Sequence, residues 1–179
     1  MKGIVFTEFL ELVEQKFGLE MVDRIITQSN LESKGIYTAI GTYEFSEMLQ
    51  LLQNLHNNTG IEINDLLRIY GEYFFSVLES NYGRLIARYS TPLDMLASIE
   101  KHIHVEVQKI YPDASLPTFD VVSLKENSLE MIYKSDKAMH HFGLGLMTKT
   151  FEHFDKKANI ILEKIKPDGT EVRFLIKEI

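Results

Sequence analysis

The sequence predicts an α+β fold: an N-terminal helical part, about 1–111, packed on a C-terminal four-stranded antiparallel sheet with a helix, about 117–179. Three observations predict it. Apolar residues recur at three- and four-residue spacing in five successive runs before residue 111. Pro112 and Pro117 then bracket a loop that no helix can cross. Beyond it the apolar spacing switches to two residues, interrupted by one more helical run. With no disordered linker, repeat or low-complexity tract, residues 1–179 read as a single domain.

The first helix is expected over 2–17, where Phe6, Phe9, Leu10, Val13 and Phe17 share a face and Gly18 supplies a stop. A short second helix over 20–29 carries Met21, Val22, Ile25 and Ile26. A glycine-containing connector leads to a third, Thr42 to Asn57, and HNNTG ends it. The fourth run covers 61–80 with Gly71 in its middle, which costs about 1 kcal/mol relative to Ala. That glycine fits close helix packing, a bend, or approach to a flat object. Pro92 suits the first turn of a fifth helix that runs to about Tyr111. The segment FDVVSLKENSLEMIYKS reads as a hairpin turning near Glu126–Ser128. A helix follows at about 138–155, then strands at 158–166 and 171–177 across KPDGT.

Composition excludes several classes of function. The absence of Cys removes disulfides, cysteine-ligated zinc, iron–sulfur clusters and thiol catalysis. A net charge of -7, from 19 Lys+Arg against 26 Asp+Glu, supplies no basic footprint for nucleic acid. No segment is apolar enough for membrane insertion, and MKGIVFTEFLELVEQKFG lacks the apolar block and cleavage site of a signal peptide, so a cytoplasmic location is expected.

His102 and His104 stand two apart, a spacing that does not put both on one helix face. On a wheel of 93–111, Leu96, Ile99, Ile103, Val107, Ile110 and Tyr111 form the apolar arc. His104 lies roughly 80° from its centre and His102 roughly 120° away on the other side. His104 is therefore the inward-facing histidine, with Glu100 and Gln108 as same-face neighbours. One histidine and one glutamate fall short of the ligands zinc takes. Two readings stay open for His104: a structural histidine, or the single axial ligand that haem iron needs because the porphyrin supplies four nitrogens. The second requires an apolar pocket, which Val5, Phe9, Phe74, Leu78, Phe142, Leu144 and Leu146 could furnish, and polar groups for the propionates. Tyr133, Ser135 and Lys137 alternate along the second strand, so two hydroxyls and an ammonium share one side. A solvated sheet face would give the same pattern. His140, His141 and His153 have no carboxylate at a convincing relay spacing, so the chain does not read as an enzyme.

Four segments in order carry a family resemblance: MKGIVF, YGEYFFSVL, HVEVQKIYPDASLPTF and YKSDK. Together they make the chain resemble, over nearly all its length, the haem nitric oxide/oxygen binding family, whose domain also serves as the sensor of soluble guanylate cyclases. The resemblance implies haem b (iron protoporphyrin IX) held between the two parts. His104 would be the proximal iron ligand, and Tyr133 and Ser135 the propionate partners. Pro117 would be the proline that presses on the porphyrin. Phe142 falls near the position where some members carry a distal tyrosine. The chain departs from the family in three ways. Lys137 stands where the signature has arginine, keeping the charge and losing the bidentate fork. No distal tyrosine is apparent, which disfavours oxygen relative to NO and CO. The zinc-binding cysteines of some relatives are absent. The resemblance further implies an NO (and CO) sensor signalling to a separately encoded sensor histidine kinase or cyclic dinucleotide enzyme, with Gly71 and Gly143 or Gly145 as flexible points. The rival expectation is a haem-free protein-interaction module of the same fold.

Overall fold

In the computed structural model, which describes Met1–Ile179, helix α1 (Gly3–Phe17) buries Phe6, Phe9, Leu12 and Val13 along one stripe. Gly18 ends it at φ 85°, with its N–H on the Glu14 carbonyl at 2.8 Å. Helix α2 (Leu19–Thr27) follows at once and buries only Ile25. Helix α3 (Phe45–Thr59) starts three residues later than expected, because residues 41–43 are already committed elsewhere. Gly3 N–H bonds the Gly41 carbonyl (2.8 Å), Tyr43 N–H bonds the Met1 carbonyl (2.9 Å), and Lys2 pairs with Thr42. Helix α4 (Ile63–Ile86) continues past residue 80 through a non-helical Tyr82 (φ -129°, ψ 26°). Burial and a hydrogen bond with Tyr111 push the Tyr82 hydroxyl up to about 12.

The chain forms two compact units that divide inside α4, Met1–Tyr70 and Gly71–Ile179. The change from helical to strand spacing at 111–117 is therefore not where the units part. In the first unit Phe6, Phe9, Val13, Met48, Leu51, Leu52, Leu55 and Tyr70 are buried, each apolar side chain stabilising by about 1.5–3 kcal/mol. Phe6 stacks on Tyr37 at 4.5 Å between ring centroids. The buried Glu47 holds the 28–44 connector down. Its carboxylate accepts from Ser33 N–H (3.1 Å), Ser33 Oγ (2.5 Å) and Tyr37 Oη (2.6 Å). Burial pulls the Glu47 carboxyl up, and these donors outweigh it, leaving the group below its ordinary value. Tyr37 is pushed above the ordinary phenol value by burial and by Glu47.

In the second unit helix α5 (Pro92–Ala97) has Pro92 at its first turn and Thr91 Oγ1 accepting from Asp94 N–H at 3.1 Å. The single fifth helix expected to reach Tyr111 is instead broken by a π-helical turn, Ile99–Ile103, before helix α6 (His104–Ile110). Ile103 N–H reaches the Ser98 carbonyl and His104 N–H the Ile99 carbonyl, five residues back rather than four. The wider turn shifts every later residue off the 100° wheel. His104 stays inward and His102 outward, but Ile110, assigned to the buried arc, is 48% exposed.

Strands β1 (Thr118–Lys125), β2 (Ser128–Lys134), β3 (Ala158–Lys164) and β4 (Glu171–Glu178) form an antiparallel sheet in the order β1-β2-β4-β3, with an irregularity in β1 between Val121 and Ser123. Helix α7 (His140–His153) connects β2 to β3. Alternate residues Leu129, Met131, Tyr133 and Val172, Phe174, Ile176 point into one core with Phe119, Leu93, Leu96, Met147 and Phe151. Gly71 lies against the α7 backbone: a Cβ there would sit 2.1 Å from the Phe142 carbonyl oxygen and 3.1 Å from Gly145 Cα.

Two outcomes follow from these contacts. Because the folded Glu47 pKa is depressed, its contribution is complete above the ordinary carboxylate range and is lost as pH falls through the folded value. Glu47→Gln is expected to cost about 2–3 kcal/mol in urea melts at pH 7, with the difference from wild type shrinking at acid pH. A pH-independent difference would contradict the assignment. Gly71→Ala should destabilise by about 1–2 kcal/mol although helix propensity alone favours Ala by about 1 kcal/mol. Gly83→Ala, on the same helix with open space around it, should show only the propensity gain.

Candidate functional site

His104 opens α6 immediately after the π-helical turn, and its side chain is 15% exposed. Its ring lies 6.1 Å from Phe119, which lies 5.4 Å from Tyr133, so the imidazole joins the edge of the sheet core. Nδ1 is buried without an aligned hydrogen-bond partner, although Glu100 Oε1 is 2.9 Å away. The same oxygen accepts the backbone N–H of Phe119 at 2.9 Å. Burial lowers the His104 pKa below the ordinary histidine value, and the Glu100 carboxylate pulls it back only in part. The ring is therefore neutral at pH 7, the form that binds a metal. His102 is exposed, with Nδ1 3.5 Å from Tyr89 Oη.

The polar side of the site forms where β2 ends. Tyr133 is buried, and burial raises its hydroxyl pKa against hydrogen bonds from Ser135 and the Met139 backbone, so it stays a neutral donor. Ser135 extends the ladder by one bond, its N–H on the Thr170 carbonyl at 2.9 Å. The strand stops at Lys134, so Lys137 does not reach the site by strand alternation as expected. It arrives through a turn in which Lys137 N–H bonds Ser135 Oγ (3.1 Å) and Ala138 takes φ 50°. Its ammonium, on a side chain 14% exposed, bonds Ser115 Oγ (3.0 Å) and Asp136 (3.2 Å). Ser115 had no signal in the sequence. It shares the 112–117 loop with Pro117, which is half-buried just before β1.

The expected pocket residues divide among several contacts. Phe74 is buried with its ring 5.5 Å from Phe142, and Leu78 is half-buried on the same helix. Leu144 packs on the sheet core, whereas Leu146 packs with Phe75, Ile86 and Met95. Residues two apart on a helix face different ways, so Leu144 cannot join Phe142 and Leu146 in one wall. Val5 and Phe9 belong to the first unit. There the Val5 carbonyl accepts from Tyr70 Oη (2.6 Å), and Phe9 meets the Tyr70 ring edge-on at 5.4 Å. His140 is buried at the start of α7 beside Tyr133 and under the Gly169 turn, and burial lowers its pKa.

Nowhere does the chain assemble three or more His, Asp or Glu side chains that could hold a metal ion alone. An iron at His104 needs its remaining nitrogens from a macrocycle. The donor set fits one: a neutral imidazole for the axial position, and two hydroxyls and an ammonium for carboxylate side chains. No helix is long and apolar enough to cross a membrane.

Comparison with known proteins agrees with this chemistry. The family model described as Haem-NO-binding matches residues 2–162. The Fe(II) unliganded H-NOX protein from K. algicida is 70% identical, with a TM-score of 0.98 over 100% of this chain and 97% of that one. An H-NOX from Shewanella woodyi, bound to IWP-051 in the Fe(II)CO state, is 33% identical, with a TM-score of 0.84 over 100% and 95%. An H-NOX from S. oneidensis in the Fe(II)NO state shares the fold at 22% identity, with a TM-score of 0.90 over 100% and 99%. No curated protein matches. The chain belongs to the haem-NO-binding, or H-NOX, family of haem-based gas sensors.

Proposed function

We propose that this chain is a haem b-based nitric oxide sensor, not an enzyme, that acts in the cytoplasm and signals to a separate effector protein. The observation that carries the reading is the junction of His104 with the Tyr133–Ser135–Lys137 donors through Phe119 in one unit. Haem supplies the ferrous iron at which a diatomic gas binds. The chain's residues do the rest. His104 would hold the iron through its imidazole nitrogen. Tyr133 and Ser135 would donate to the propionates, with Lys137 as the cation in place of arginine. Pro117, in the same loop as Ser115, would press on the macrocycle.

Gas discrimination rests on what Phe142 lacks. A phenyl ring against Phe74 offers no hydrogen-bond donor, so nothing at that position stabilises the partly negative outer atom of bound oxygen, while NO and CO need less help. Signal transfer would rest on α6, a seven-residue helix that carries His104 and follows a turn that is already non-α-helical. Ligand and effector then bias the same two-state element. The effector is a sensor histidine kinase or an enzyme that makes or breaks cyclic dinucleotides.

The test is the absorption spectrum of reduced, haem-reconstituted protein under argon, air, CO and NO. A five-coordinate ferrous spectrum that changes with NO and CO and forms no stable complex in air is expected. A stable oxygen complex would overturn the assignment of Phe142. Absence of haem uptake would favour the haem-free interaction module.

A further inference from the structure

One carboxylate oxygen, Glu100 Oε1, stands 2.9 Å from both the Phe119 backbone nitrogen and His104 Nδ1. The first contact is an aligned hydrogen bond to a strand amide, which fixes where the oxygen sits. The second atom is a buried ring nitrogen that has no aligned acceptor of its own. A buried N–H left unpaired is costly, and Glu100 Oε1 is the acceptor within reach. The oxygen has a second lone pair for it. This arrangement differs from an ordinary helix-surface pair such as Lys109–Glu106, where the Lys109 side chain is 62% exposed and neither residue bonds a strand. Glu100 also lies inside the π-helical turn, so the wider winding and the strand contact together set the side chain's approach to the ring.

We propose that Glu100 is the positioning residue of the axial ligand: its carboxylate accepts the Nδ1–H of His104, directs Nε2 to the iron, and strengthens the iron–imidazole bond. The proposal rests on the haem reading above. A ligand imidazole that donates its second N–H to a carboxylate is oriented and made more basic. A more basic ligand favours ferric over ferrous iron and resists release. Glu100 thereby sets how readily His104 lets go, and β1 feels that release through the Phe119 amide.

The test is resonance Raman and potentiometry of haem-loaded wild type and Glu100→Gln. The amide keeps the shape and removes the charge, so the ferrous iron–histidine stretching frequency should fall. The preference for ferric iron should fall about tenfold, which is about 59 mV in midpoint potential for one electron. A second measurement leaves Glu100 and its strand contact intact. In His104→Gly, imidazole should give a higher iron–ligand frequency than 1-methylimidazole, which has no N–H to donate. In Glu100→Gln/His104→Gly that gap should narrow. An unchanged frequency in haem-loaded Glu100→Gln, or an undiminished gap in the double variant, overturns the role of Glu100 alone. Wild type that takes up no haem overturns the haem reading and this proposal together.

Discussion

The placement of His104 depends on a turn wound wider than an α-helix and on the strand amide that holds it there. Ser98 and Ile99 accept hydrogen bonds from residues five positions on, and Glu100 inside that turn takes the Phe119 N–H at the start of β1. Without the anchor, residues 92–111 have every local reason to form one continuous helix, since no Gly or Pro interrupts 93–111. The π-helical register is less favourable in itself. It is stabilised by the contact with β1 and by the fit of Ile99 against the sheet core. The site thus begins as a backbone problem: a strand amide needs an acceptor, a glutamate supplies it, and the histidine four residues later is turned toward Phe119.

The polar end obeys a similar constraint. Strand β2 can deliver Tyr133 and Ser135 to one side because the ladder with β4 continues as far as Ser135 N–H and the Thr170 carbonyl. It cannot deliver Lys137, so the chain turns, using Ser135 Oγ as the acceptor for Lys137 N–H. Lys137 then reaches across to Ser115, which ties the end of β2 to the proline loop that follows α6. Arginine in this position would offer five donors in a fixed fork. Lysine offers one compact charge, already shared between Ser115 and Asp136. Both ends of the proposed ligand contact set are therefore linked through residues 111–119.

Much of this was legible in the sequence because it is periodic. The stripe of Phe6, Phe9 and Val13 located α1, and Leu129, Met131 and Tyr133 at spacing two located β2 and its inner face. The inward face of His104 was legible too, although the wheel that suggested it holds only as far as Ser98. Features set by distant partners were not. Nothing in IEKHI announces a π-helical turn, and the strand amide that Glu100 meets inside it, that of Phe119, lies nineteen residues away. Nothing in ASLP marks Ser115 as the partner of a lysine twenty-two residues on. The opposite facing of Leu144 and Leu146 follows from helical geometry and was available without the structure. The family resemblance is spread over several separated segments, so it does not depend on where any one helix begins or ends.

A haem titration tests most directly whether the chain binds haem through His104. Apo-protein should bind one haem per chain with a sharp Soret band. His104→Gly should lose the five-coordinate histidine spectrum and regain it on adding imidazole. A His104→Gly protein whose haem spectrum matches wild type without imidazole would contradict the account.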